Sequence, residues 1–181
     1  MIAIVSLILV FLKKVIRPSN LRNLGCKLFE TDDSTATAMI RLVLGVVFFA
    51  HGAQKMLGWF GGFGFSGTMD FFTGTMHIPA PLAFLAIAAE FFGGLALILG
   101  FLARIAAFGI AVSMVVAIAT VNKAFGFFMN WYGTQKGEGF EYHLLVLAMT
   151  AFLMIRGGGA FSIDRAIATA SPTAQPSLAP S

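Results

Sequence analysis

Four long apolar stretches, separated by polar or glycine-rich breaks, set the pattern of this chain. They cover about residues 39–57, 81–102, 105–122 and 140–156. A helix needs roughly 20 apolar residues to cross the hydrocarbon core of a bilayer. Backbone polar groups find no water there, so a helix is the natural element for each stretch. A tight turn at Ala103-Arg104 separates the second and third, and Gly157-Gly158-Gly159 ends the fourth. The break at 58–80 carries six glycines together with Trp59 and several phenylalanines. Glycine weakens a continuous helix and aromatic rings favour the membrane interface, which predicts an interfacial or partly re-entrant loop. Residues 123–139, containing Asn130-Trp131-Tyr132-Gly133, form a second polar loop.

The two ends of the chain differ from this middle. Residues 1–12 are apolar, but as a helix they reach only about 18 Å. Lys13, Lys14 and Arg17 follow the apolar run rather than precede it, unlike a secretory signal. The pattern predicts a short anchor or interfacial helix gripping headgroups. Residues 18–38 are polar, and Asp32-Asp33-Ser34-Thr35 leads into a helix start. Ser, Thr, Ala and Pro dominate the last residues, as in a disordered tail. The expected fold is an all-α membrane protein: a four-transmembrane-helix bundle with an extra short N-terminal apolar or interfacial helix. Its parts are 1–38 (apolar helix and basic, polar linker), 39–167 (membrane domain) and 168–181 (tail).

Composition agrees. The chain is 58% hydrophobic and 11% charged, with mean hydropathy +0.87, against about 25% charged residues in soluble domains. The net charge of +4 is spread too thinly for nucleic-acid binding. Basic residues instead report topology. Lys13, Lys14, Arg17, Arg22, Lys27, Arg41, Arg104, Arg156 and Arg165 fall on one side, and Lys55, Lys123 and Lys136 on the other. This asymmetry places both termini in the cytoplasm. The lipid bilayer is the expected partner. Cys26 stands alone, so no Cys pair exists for thiol–disulfide exchange, and it reads as an incidental thiol.

Glu90 is the one charge inside the second apolar stretch. It lies about 12 Å below the outer end of its helix, and His51 about 9 Å below the outer end of the first. Lys55 is a turn shallower than His51 and four residues away, on the same helix face. Glu141 and His143 open the fourth stretch at the same side. Five ionisable groups from three spans therefore converge on the outer half of the bundle. One reading is a polar pocket that carries protons or contacts a quinone, since histidine titrates near neutral pH and intramembrane carboxylates are rare. The other is a set of interhelical hydrogen bonds, with Lys55, Glu141 and His143 wetted at the interface. His51 and His143 are one histidine pair without a second, so haem is not expected. No zinc-ligand spacing is visible, and His77 reads as a solvated loop residue. Gly45, Gly52, Gly93, Gly94 and Gly100 permit close helix approach. Arg41, Arg104, Arg156 and Arg165 read as cytoplasmic anchors, and Ser162 as a helix cap.

Arg41-Leu42-x-x-Gly45, His51-Gly52-x-x-Lys55, Glu90-Phe91-Phe92-Gly93-Gly94-Leu95, Glu138-Gly139-Phe140-Glu141-Tyr142-His143 and Gly157-Gly158-Gly159-x-x-Ser162-Ile163-Asp164 together resemble the DoxX family of prokaryotic integral membrane proteins, over about residues 39–167. The resemblance implies a four-helix bundle in the bacterial cytoplasmic (inner) membrane. It also implies a link to oxidoreductase chemistry, through similarity to a subunit of a thiosulfate:quinone oxidoreductase, with quinone as the associated cofactor. The family supplies no assigned catalytic residue; Glu90, His51, Lys55 and Glu141 match its motif. The first 38 residues and the tail depart from the family pattern, and the N-terminal helix is a candidate docking element. The expected function is a redox-linked, quinone-associated subunit working with a partner membrane or redox protein. A non-catalytic accessory or scaffold subunit of a larger complex is the alternative, and a proton or small-solute pathway a third. No catalytic motif decides whether the chain is itself an enzyme.

Overall fold

Ser34 starts the first helix. Its hydroxyl accepts the Thr37 N–H at 3.3 Å, and α1 then runs Thr35–Leu57, four residues earlier than the apolar pattern alone suggests. The computed structural model describes residues 27–170 and contains no strand among them. The expected N-terminal helix, Lys13, Lys14, Arg17, Arg22, Cys26 and residues 171–181 lie outside the described residues.

Gly58, at φ +74°, ends α1 in the left-handed conformation that glycine adopts without strain. The glycine-rich break beyond it is not an open loop. It folds into a 3₁₀ turn (Trp59–Gly61), the short helix α2 (Gly64–Asp70) and a π-helical turn (Phe71–Thr75). Glycine interrupts helix here without abolishing it, so the segment becomes broken turns. α3 (Ala80–Leu99) follows with Pro81 in its first turn, where a missing N–H does no harm. Gly100 at φ +68° reverses the chain. α4 spans Ala103–Thr120, α5 Glu141–Arg156 and α6 Ile163–Ala170. Residues 168–170, expected in the tail, are the last turn of α6. Ser162 caps it as expected, accepting the Arg165 N–H at 3.2 Å.

α1, α3 and α4 are long and apolar enough to cross a membrane. α5, with 16 residues, reaches only about 24 Å. α1 packs on α3, α3 on α4, α4 on α5, and α5 back on α1. Leu44, Phe48, Leu97, Ala107, Ile110, Met114, Val146 and Leu153 fill the centre. Val43, Val46, Leu85, Phe108, Val115 and Leu145 lie exposed on the outside, the apolar surface that lipid would cover.

The tightest contact is between α1 and α3, which run antiparallel. Going up α1 and down α3, Gly45 faces Ile98, Gly94 faces Phe49, and Gly52 faces Phe91. At each glycine a Cβ would enter the opposing backbone. Small residues at this spacing are what allows two helices to touch along their main chains.

Candidate functional site

The close approach at Gly52 places the last turn of α1 against α3 beside Phe91. Lys55, one turn beyond Gly52, thereby reaches Glu90, and the two form an ion pair. The Glu90 residue is buried, while the Lys55 side chain keeps some access to solvent. A cation in the last turn of α1 also suits the negative end of the helix.

Tyr142 comes from a third helix, at the start of α5. Its hydroxyl is within electrostatic reach of Glu90 and is buried without a hydrogen-bond partner. His143 is also buried; its ring packs edge-on against Tyr142 at 5.7 Å, and its Nδ1 has no partner either. Buried polar atoms normally find partners, so two such atoms on adjacent residues are notable. Tyr142 was not singled out in the sequence. Its neighbours Glu141 and His143 drew the attention that its position between them warranted.

The other candidates lie elsewhere. Glu141 faces the loop before α5: its Oε1 accepts the Met129 N–H at 3.1 Å and the Trp131 indole N–H at 2.9 Å. That loop and α5 enclose a half-open groove of about 450 Å³ lined by Phe127, Met129, Trp131, Glu141, Tyr142, Leu144 and Leu145. His51 is exposed on the outside of α1. It does not accompany Lys55, whose long stem turns inward to Glu90. His77 is exposed. Among the described residues no group of three His, Cys, Asp or Glu could hold a metal ion.

The opposite end of the bundle is polar too. Arg41, expected as a headgroup anchor, is 1% exposed. Its guanidinium donates to the carbonyls of Leu97 and Ile98, at the end of α3, and of Gly158, Ala160 and Phe161, in the turn after α5. Leu97 and Ile98 lie in the last turn of α3, where carbonyls run short of intrahelical donors, and the other three carbonyls belong to the turn between α5 and α6. Asp164, also 1% exposed, accepts the N–H groups of Leu102 (2.7 Å) and Ala103 (2.9 Å) and so caps α4. It thereby holds Leu102 at φ +49°, an unfavourable angle for a branched side chain. Around this core, Asp32 pairs with Arg156 at 2.7 Å and Asp33 with Arg165, while Arg104 donates to the carbonyls of Glu30 and Met154. Burial alone would raise the Asp32 pKa, but the Ser34 N–H, Arg156 and the Thr37 hydroxyl outweigh it and hold the carboxyl below its usual range. The signal for Arg41 was present: an arginine inside an apolar helix is as costly as Glu90 and demands the same search for partners.

Comparison with known proteins places this architecture. The DoxX family model matches residues 36–123. Over that region the chain is similar to the DoxX family. It is 28% identical over 128 residues to the "Putative oxidoreductase CatD" of Bacillus subtilis (strain 168), covering 71% of this chain and 84% of that protein. It is 29% identical over 133 residues to the "Inner membrane protein YqjF" of Escherichia coli (strain K12), covering 74% of this chain and 92% of that protein. No solved structure matches the chain. The DoxX match contains Arg41, Lys55 and Glu90; Glu141, Tyr142, His143 and Asp164 lie beyond it. Both helices of the ion pair thus belong to the matched DoxX region, whereas Tyr142 and His143 come from α5.

Proposed function

We propose that this protein is a redox-linked membrane subunit that works with a quinone and a partner redox protein, and that Glu90 is its proton acceptor. The observation that carries this reading is the Lys55–Glu90 pair between two membrane-crossing helices, with the unpartnered Tyr142 hydroxyl within electrostatic reach of Glu90. An intramembrane carboxylate is expensive and is kept where it serves a pathway or site. Oxidation of a quinol releases two electrons and two protons. The electrons pass to the partner; Glu90 takes one proton, and the other leaves to water at the same face. Tyr142 donates its free O–H to a quinone oxygen. A relative named as an oxidoreductase supports the reaction class. In this reading α5 is a fourth crossing. The membrane is the bacterial inner membrane, as the name of one relative supports, and the Lys/Arg asymmetry puts both termini in the cytoplasm. The test is equilibrium binding of a short-tailed ubiquinone analogue to the full chain in lipid nanodiscs. Saturable binding that weakens at least tenfold in Glu90→Gln supports the reading; no binding by the wild-type chain removes it.

A second reading, an accessory subunit of a larger membrane complex, is favoured by His51. A histidine exposed on a membrane-crossing helix faces lipid unless another protein covers it. Co-purification from native membranes checks this. Recovery solely as a free monomer, with His51→Leu unchanged in behaviour, counts against it.

A further inference from the structure

The groove at the start of α5 has a chemistry of its own. Its walls are apolar, three of them aromatic (Phe127, Trp131 and Tyr142), and a single carboxylate, Glu141, faces it. Both hydrogen bonds to that carboxylate come from neutral donors and fall on the same oxygen, Oε1. Among the described residues Glu141 forms no ion pair, and no Lys, Arg or His lines the groove. The N-terminal dipole of α5 offsets part of the negative charge and leaves the remainder without a counter-ion. The Trp131 and Tyr142 rings add electron-rich faces, which attract cations. Leu144 and Leu145 are exposed beside the groove, so it opens along the apolar surface of the bundle. Its volume suits a small organic molecule.

We propose that this groove binds a small lipophilic ammonium ion, with Glu141 as its counter-ion and Trp131 and Tyr142 flanking the charged nitrogen. A phospholipid amine headgroup fits less well, because its phosphate would meet no cation among the lining residues. The groove shares Tyr142 with the quinone reading but takes its charge from Glu141 rather than Glu90, so Glu141 variants test it apart from that reading.

The test uses the full chain in phosphatidylcholine nanodiscs with Trp59→Phe, which leaves Trp131 as the single indole. Benzyltrimethylammonium is titrated against its neutral isostere, neopentylbenzene, and Trp131 fluorescence is followed. The expected result is a saturable change with the cation alone, weakened at least tenfold in Glu141→Gln and less than threefold in Glu141→Asp. Gln retains the carbonyl oxygen that the Met129 and Trp131 N–H groups require, so the loop keeps its support. Equal saturation by the neutral isostere overturns the proposal, as does undiminished cation binding in Glu141→Gln. A loss in Glu141→Asp as large as in Glu141→Gln also overturns it, because loop geometry rather than charge would then hold the probe. A tenfold loss on changing the discs to phosphatidylethanolamine gives the groove to the lipid amine and overturns the small-cation assignment.

Discussion

The two ends of this bundle both bury charge, and they treat it differently. At the Arg41 end, Arg41 meets five carbonyls and Asp164 two N–H groups. Both side chains are almost fully buried and tie α1, α3, α4 and the turn after α5 together. At the Glu90 end the ion pair keeps partial solvent access through Lys55, and Tyr142 and His143 each present a buried polar atom with nothing bonded to it. A fully satisfied buried network rigidifies a fold, whereas one left partly open retains capacity for a ligand or a proton. The first end is a structural clasp and the second a candidate site.

Mutations should separate the two ends. The largest effect is expected from Arg41→Leu, which leaves Asp164 without its nearby buried cation and five carbonyls without their donor. Breaking such a site costs about 3–5 kcal/mol, read as a collapse of thermal stability in nanodiscs, whatever ligand is present. A mild loss, under about 1 kcal/mol, would show that water replaces the guanidinium and would dissolve the contrast between the ends. Next comes Gly52→Leu. Its side chain would enter the α3 backbone at Phe91, and overpacking of this kind costs about 1–3 kcal/mol. It should also part Lys55 from Glu90, so quinone binding falls along with stability.

Glu90→Gln is expected to cost less stability than Arg41→Leu, because Lys55 keeps access to water, and to be large in redox coupling. A stability loss as great as that of Arg41→Leu would make Glu90 a second clasp. The smallest effect concerns pH. The Asp32 carboxyl is held below its ordinary range, so its contribution is present above the unfolded pKa, near 3.9, and fades as pH falls through the folded value. Asp32→Asn should lower stability slightly at neutral pH and flatten the acid limb, so that the variant and the wild-type chain converge as pH falls through the folded pKa. A loss that is uniform with pH would assign Asp32 to packing alone.

Periodicity made the helices legible, because each apolar stretch approaches bilayer length and glycine or polar residues mark its ends. The glycine-rich break was less legible, since composition distinguishes an interrupted helix from a loop poorly. Charge inside an apolar run identified Glu90, and antiparallel neighbours with facing glycines bring Lys55 to it. Depth counting alone placed His51, Glu141 and His143 at the same level, yet depth leaves rotation about the helix axis undetermined. His51 therefore points outward and Glu141 serves a loop. Tyr142 was missed because a tyrosine near an interface looks like an aromatic anchor until its hydroxyl is seen to be buried. Arg41 reads as a headgroup anchor because arginines near helix ends usually reach for lipid, whereas its guanidinium turns inward to carbonyls.

The most direct measurement is an infrared difference spectrum of the full chain in nanodiscs as quinol is added together with an oxidised electron acceptor. If Glu90 accepts the proton, a protonated-carboxyl stretch should appear on turnover, shift on exchange into D₂O and be absent in Glu90→Gln. A spectrum with no carboxyl change, or one that persists unaltered in Glu90→Gln, would contradict the assignment of the Glu90 end as the working site.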